Sequence, residues 1–229
     1  MEFKIGRIGV RVLDGGRLKL DGGAMFGIIP KALWQKLTPS DDSNRISLGT
    51  NCLLLDTGGK RVLLETGIGD KYDDKERQIF DMSRHWLVDS LHAAGIEPES
   101  IDVVVLTHLH FDHAGGATRR NDAGRIEPTF SRATYVVRKG EWEDARSGYT
   151  VMTATYRVEN LEPLAESGRL TLVEGDAEIA PGVAVRLLPG HTRHHQGVII
   201  QDGGVTAVQP GDLMPTAAHV GLPYNMAYD

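Results

Sequence analysis

The chain has little of three things: cysteine, long apolar runs and basic charge. Its single cysteine, Cys52, cannot form an internal disulfide, and its place in the apolar run of residues 52–55 predicts a buried, inert thiol. No apolar stretch approaches the ~20 residues of a membrane span, and the N-terminus lacks the apolar segment of a signal peptide. These absences predict a cytoplasmic protein that does not engage membranes.

Basic residues are outnumbered, with 25 Lys and Arg against 31 Asp and Glu, which gives a formal net charge of -6. Such a balance offers no basic field for a phosphate backbone and disfavours a nucleic-acid partner. The 229 residues are 41% hydrophobic and 24% charged, as in an ordinary globular protein. We therefore expect one domain over residues 1–229.

Strand-like patterns occupy both ends of the chain. Turns are predicted at Asp14-Gly15-Gly16, at residues 57–60 and at residues 202–204, each of which separates two apolar runs. Further strands are expected at residues 103–106, 133–137, 170–173, 183–188, 198–201 and 205–208. Residues 24–47 are ambiguous, because they could cover a site or form a surface excursion that packs Phe26 and Trp34 onto the body.

Helical patterns lie mainly in the centre of the chain, at residues 73–82, 83–94, 139–146 and 158–167. His85 and His92 belong to the second of these amphipathic patterns. Nothing near either histidine completes a site, so we expect both to face solvent or core rather than to bind a metal.

The most informative stretch is Thr-His-Leu-His-Phe-Asp-His-Ala-Gly-Gly at residues 107–116, directly after a β-branched apolar run. His108 and His110 leave the same side of an extended segment and could chelate one ion. Asp112 and His113 follow after the turn and suit a second divalent ion. The alternative is a polar loop whose histidines only form hydrogen bonds. Three of the nine histidines fall within six residues at a strand exit, which favours a metal site.

Residues 108–113 resemble the His-x-His-x-Asp-His signature of the metallo-β-lactamase-fold metallohydrolases. Two later segments are similar to that family as well: Leu-Pro-Gly-His-Thr at residues 188–192, and Gln-Pro-Gly-Asp at residues 209–212. The resemblance implies an α+β fold, an αββα sandwich of two mixed β-sheets with helices on the outer faces. It also leads us to expect that this chain lacks the family's C-terminal strand and helix.

By resemblance, His191 completes a three-histidine site with His108 and His110, while Asp112 and His113 hold a second ion. Asp212 would bridge the two ions, and Asp112 and Asp212 are the expected catalytic residues. Two divalent ions are implied, zinc first, with manganese, iron or cobalt as alternatives.

Other residues have weaker assignments. Glu65 resembles the family's acidic strand end and is expected to accept hydrogen bonds near the metal ligands. His195 is expected to form structural hydrogen bonds rather than bind metal. His194, His219 and Tyr224 are candidate substrate-binding residues. Only His219 follows Asp212 where the family has one more histidine ligand, so the second site is expected to be weak or incomplete. A missing terminal strand would leave a sheet edge unpaired, which allows a homodimer.

The resemblance thus implies a metal-dependent hydrolase that uses metal-bound hydroxide to cleave a lactone or carboxylic ester of a small molecule. Pro215 stands where related lactonases usually have a tyrosine. Two other substrate classes stay open, thioesters as in glyoxalase II and phosphotriesters. A non-catalytic metal-binding module of the same fold is the alternative from another class.

Overall fold

The computed structural model describes residues 1–148, 154–221 and 223–227. Its main feature is a seven-stranded sheet in the order β1-β2-β3-β4-β5-β8-β9, which faces a four-stranded sheet in the order β10-β11-β12-β13. The strands of the large sheet are β1 (Glu2–Ile5), β2 (Ile8–Asp21), β3 (Arg45–Thr57), β4 (Lys60–Leu64), β5 (Val103–Val105), β8 (Thr134–Arg138) and β9 (Leu170–Val173). Those of the small sheet are β10 (Ala177–Ala180), β11 (Val183–Leu187), β12 (Gln196–Asp202) and β13 (Val205–Gln209). A two-stranded ribbon joins β6 (Thr118–Arg120) to β7 (Ile126–Pro128).

The helices of the described residues are short and lie between the strands. They are α1 (Gly22–Phe26), α2 (Lys31–Trp34), α3 (Asp74–Phe80), α4 (Leu87–Ala93), α5 (Phe111–Ala114), α6 (Lys139–Ala145) and α7 (Val158–Glu166). Over residues 1–148, 154–221 and 223–227, no helix combines the length and the apolar composition that crossing a bilayer would require.

Strand alternation explains how the large sheet is buried on both faces. Leu55 and Val105 point into a cluster shared with Val183 and Val198 of the small sheet. Their chain neighbours, Leu54 and Val104 among them, point the other way, into a cluster with residues of α4, α6 and α7. The expected α+β sandwich is confirmed, with one refinement. The large sheet mixes parallel and antiparallel pairs, whereas the small sheet is antiparallel throughout its described strands.

The hairpin predicted at Asp14-Gly15-Gly16 is wrong. β2 continues through these residues and stays paired with β3 on both sides, with a register shift between Asp14 and Arg17. Gly15 packs so closely against the backbone of Thr50 that a β-carbon would lie 2.4 Å from the Thr50 carbonyl oxygen. The glycines therefore accommodate a β-bulge and a close backbone approach instead of reversing the chain. The first hairpin turn lies earlier, between β1 and β2, at Gly6 with φ 58°.

Other local predictions are confirmed. The turns predicted at residues 57–60 and 202–204 connect β3 to β4 and β12 to β13. Cys52 is fully buried, and burial raises the pKa of its thiol well above the usual range. Strands β6, β7 and β10 were not predicted, because runs of three or four residues give too short a pattern to recognise.

The ambiguous segment of residues 24–47 fits both of its interpretations. Phe26 and Trp34 are buried and stack with ring centroids 5.2 Å apart, so the segment packs onto the body. Met25, from the same segment, lines a cavity that also contains His110, His191 and Asp212. The excursion therefore both packs against the core and borders the site described next.

Candidate metal centre

The histidine motif lies where β5 leaves the carboxyl edge of the large sheet, the edge at which α/β sheets usually place their ligands. Gln196, the first residue of β12, forms two hydrogen bonds to the residues that directly follow β5. Its side-chain amide donates to the carbonyl of Leu106 at 2.8 Å, and its backbone amide donates to the carbonyl of Thr107 at 2.9 Å. The small sheet is thereby fastened to the loop that carries His108 and His110.

Two glycines allow the end of the motif to pack against the loop after β4. A β-carbon on Gly115 would lie 2.1 Å from the carbonyl oxygen of Ile68, and one on Gly116 would lie 2.2 Å from that of Thr66. Thr66 in turn donates twice to the carbonyl of His113, from its amide at 3.0 Å and from its hydroxyl at 2.6 Å. Only glycine permits this approach, which fixes the position of His113.

Six side chains converge here, and within the described residues five of them form two groups of possible metal donors. One group is His108, His110 and His191, and the other is His108, His113 and Asp212, with the donor atoms of each group within 4.8 Å of one another. Asp212 faces both groups, because one oxygen lies 3.1 Å from His113 Nε2 and the other 3.6 Å from His191 Nε2. Asp112 adds a carboxylate 3.8 Å from His113 Nε2.

The donors fit divalent metal ions. His108 Nε2 is a buried polar atom without a hydrogen-bond partner, an arrangement that costs free energy unless another group satisfies it. Burial lowers the pKa of His108 and His110 well below the usual range, so both imidazoles are neutral, the form that binds metals. Neutral imidazoles together with carboxylates are the ligands that zinc and similar ions prefer.

Electrostatics around His113 also indicate a site for positive charge. Burial lowers the pKa of this imidazole, but Asp212, Asp112 and Glu65 outweigh burial and raise the pKa well above the usual range. Three carboxyl groups thus converge on one buried histidine. Such a surplus of acidic groups suits a bound cation.

Glu65 lies where the sequence placed it, beside the motif and buried. One carboxylate oxygen accepts the backbone amide of Thr107 at 3.1 Å, and the other lies 3.3 Å from His113 Nδ1. Its backbone has φ 66°, in the left-handed region that non-glycine residues seldom occupy. The carboxylate therefore orients His113 and supports the strand exit from a strained position.

His195 uses both ring nitrogens in hydrogen bonds. Nδ1 donates to the carbonyl of Leu188 at 3.1 Å, and Nε2 accepts the backbone amide of Asp212 at 3.2 Å. Burial lowers the pKa of His195 to about 4, so the ring stays neutral and has one donor and one acceptor nitrogen. The geometry matches the hydrogen-bonding interpretation, and His195 belongs to neither donor group.

The three substrate-binding candidates do not line the cavity above the cluster. His219 is buried, with Nε2 donating to the carbonyl of Met25 at 2.7 Å and Nδ1 2.8 Å from the hydroxyl of Thr216, so neither nitrogen can replace a missing ligand. Tyr224 packs edge-on against Phe26. His194 packs over Gly140, 3.9 Å from Asp144. Their assignment as substrate-binding residues stays a prediction, because sequence proximity to Asp212 and His191 does not determine side-chain direction.

His85 and His92 lie away from the cluster on α4 and its approach, and both side chains are about half exposed. Neither belongs to a donor group among the residues that the structure describes.

The cavity above the cluster has a volume of about 790 Å³. Its floor includes His110, Asp112, His113, His191 and Asp212. The walls are mostly apolar and include Leu18, Leu20, Met25, Leu48, Phe111, Met214, Pro215 and Met226, with Thr50, Asn51, Tyr156 and Arg193 as polar members. Arg193 is paired with Asp144 through two nitrogens, so its charge is already balanced.

Sequence reasoning missed Glu141, Tyr156 and Thr192. Glu141 is fully buried and accepts hydrogen bonds from the Tyr156 hydroxyl at 2.9 Å and the Thr192 hydroxyl at 2.6 Å. The residue lies in a helix with three acids, Glu141, Glu143 and Asp144, and the pattern does not show which of them is buried. Of the three residues, only Thr192 has a signal in the sequence, because it directly follows His191.

Two packed sheets with a histidine and aspartate cluster at their strand ends define the class of metallo-β-lactamase folds. Residues 46–226 match the family described as the Metallo-beta-lactamase superfamily. The chain belongs to that superfamily.

Several relatives are similar in sequence. An N-acyl homoserine lactonase of Bacillus cereus is 30% identical over 177 residues, which are 72% of this chain and 62% of the relative. A ribonuclease of Thermus thermophilus is 31% identical over 175 residues, 70% of this chain and 34% of the relative. The chain thus spans about three fifths of the length of the lactonase that it matches.

Solved structures agree on the fold. A probable metal-dependent hydrolase from Staphylococcus aureus superposes with a TM-score of 0.92 at 34% identity, covering 99% of this chain and 80% of that one. AidC, a dizinc quorum-quenching lactonase solved with a product, gives a TM-score of 0.74 at 19% identity over 93% of this chain and 74% of that one, and shows likeness of fold alone.

Proposed function

We propose that this chain is a metal-dependent hydrolase that cleaves a lactone or a carboxylic ester of a small molecule. The observation that carries the proposal is the pair of donor groups that share His108 and face Asp212 at the floor of an apolar cavity. The lactonase relatives and the probable metal-dependent hydrolase support the same activity.

His108, His110 and His191 are assigned to one divalent ion, and Asp112, His113 and Asp212 to the other. When bound, such ions lower the pKa of a water and polarise a carbonyl oxygen. Asp212 fixes the spacing of the two groups because its carboxylate reaches a histidine of each. Asp112 and Asp212 both line the cavity, where a carboxylate can take up the proton that a nucleophilic water releases.

Zinc is the first choice for the three-histidine group, with manganese, iron and cobalt as alternatives. The set assigned to the other ion, Asp112, His113 and Asp212, offers one imidazole and two carboxylates, which are harder ligands and select less strongly for zinc. We therefore expect the ion at the second group to leave first when the protein is dialysed against a mild chelator.

The cavity favours an uncharged substrate with an apolar portion. Its walls are mainly aliphatic and aromatic, and the cationic residue at its rim, Arg193, is neutralised by Asp144. The net charge of -6 argues against the polyanionic substrate of the ribonuclease relative. A lactone or ester carbonyl over the cluster, with its apolar part along the wall, fits these features.

A substrate panel tests the proposal. Metal-reconstituted protein would be assayed against aliphatic lactones, aryl esters, thioesters and aryl phosphotriesters, with kcat/KM measured for each. We expect the highest values for a lactone or an ester. Preference for a thioester or phosphotriester would replace the proposed substrate class, and no turnover of any of the four by protein with full metal content would support a binding module instead.

A further inference from the structure

We propose that Glu141 is a positioning residue that holds the three-histidine group in its metal-binding geometry. This inference rests on the proposed metal site and extends it to a residue outside the ligand set. Glu141 belongs to α6, beneath the loops that carry the ligands, and its carboxylate is fully buried.

Both oxygens of this carboxylate accept hydrogen bonds. One accepts the backbone amide of Leu109 at 3.0 Å and the hydroxyl of Tyr156 at 2.9 Å. The other accepts the hydroxyl of Thr192 at 2.6 Å. Burial raises the pKa of Glu141, while the bonds from Thr192, Leu109 and Tyr156 act in the opposite direction and favour the carboxylate.

Every one of these partners adjoins a member of the three-histidine group. Leu109 stands between His108 and His110, and Thr192 directly follows His191. The ring of Tyr156 lies 5.0 Å from the ring of His110. One carboxylate therefore joins the loop after β5 to the loop after β11, and these two loops supply all three imidazoles.

The ligands that we assign to the other ion, Asp112, His113 and Asp212, are supported differently. His113 is fixed by Glu65 and by the two bonds from Thr66, and Asp212 is fixed through its amide by His195. None of the bonds described for Glu141 reaches these residues. Loss of the Glu141 contacts should therefore weaken one metal site and spare the other.

A buried carboxylate costs free energy unless donors satisfy it, and hydrogen bonds to a charged acceptor are stronger than neutral ones. α6 also contacts the solvent-facing side of the loop after β11. Asp144 pairs with Arg193 there, and the ring of His194 packs against Gly140. Without the Glu141 hydrogen bonds, the loop after β11 would still be attached to α6 through Arg193 and His194. It would be free to shift at His191. Residues that orient metal ligands typically contribute about 10- to 100-fold in metal affinity.

The experiment compares Thr192→Val, which removes a donor with little change of shape, with Thr192→Ser, which keeps the donor. Glu141→Leu and Glu141→Gln form a second pair, because glutamine can still accept from Leu109 and Tyr156. Glu143→Gln, an exposed acid on the same helix, is the matched control.

Stepwise affinities for Zn²⁺ would be measured by competition with a chromophoric chelator, and the Co²⁺ absorption spectrum would show which group is filled.

We expect Thr192→Val and Glu141→Leu to weaken the ion at the three-histidine group by about tenfold or more, with the other ion within about twofold. Thr192→Ser and the control should match the wild type, and Glu141→Gln should fall between. Unchanged affinity in Thr192→Val, or equal weakening of both ions, would overturn the positioning role. If Glu141→Leu does not fold, the Thr192 pair decides alone. A wild-type protein that binds no ion would instead overturn the proposed function.

Discussion

His110→Ala is expected to abolish both metal retention at the three-histidine group and turnover of the ester or lactone substrate. His110 is half-buried at the cavity floor, and its Nδ1 lies 2.9 Å from His191 Nε2, so the substitution removes one donor and leaves its neighbour facing a gap. We expect the other donors to stay in place, because Gln196 bonds to the carbonyls of Leu106 and Thr107 at the start of the loop. Metal content after gel filtration and kcat/KM on the best substrate would measure the effect.

His85→Ala is the matched control. This ring is 44% exposed. Its Nε2 lies 2.8 Å from the Ser90 hydroxyl, within the same stretch of chain. Both readouts should stay within about twofold of the wild type, as for most surface positions. Similar losses in the two variants would show that the ligand assignment is wrong.

Asp212→Ala should remove the ion of the second group and lower kcat/KM at least about a hundredfold, more than is typical of a residue that only orients a ligand. The reason is geometric, since this carboxylate faces both His113, at 3.1 Å, and His191, at 3.6 Å. The backbone bond from Asp212 to His195 survives the substitution, so the loop should keep its place. Metal content and kcat/KM provide the readouts.

Asp122→Ala, at an exposed position on the turn between β6 and β7, is the control for loss of one acidic charge. It should leave metal content and kcat/KM unchanged. An Asp212→Ala protein that keeps two ions and near-normal turnover would refute the bridging role.

The local part of the site could be predicted from the sequence, because strand geometry and short spacing alone bring His108 and His110 together. His191 and Asp212 lie about eighty and a hundred residues further along the chain, and only family resemblance connected them to the motif. Their donor groups meet in the structure as that resemblance implied. Their roles as ligands remain a prediction.

Side-chain direction could not be predicted. His219 and Tyr224 follow Asp212 closely, yet a short helical turn directs them onto Met25 and Phe26 instead of into the cavity. Glu141 contacts the loops of the site from α6, and Tyr156 contacts them from the segment just before α7. The pairing of β2 with β3 on both sides of Asp14-Gly15-Gly16 outweighed the local preference of these residues for a turn. Each of these outcomes depends on contacts between distant segments, which local patterns do not encode.

The most direct test of the account is turnover by the protein before and after removal of its metal. The wild-type chain would be stripped by exhaustive chelation, its residual metal content measured, and its activity on the best lactone or ester followed as Zn²⁺ is added back. We expect turnover to disappear with the metal and to return as the two groups fill. Full activity in a protein whose measured metal content is near zero would contradict it.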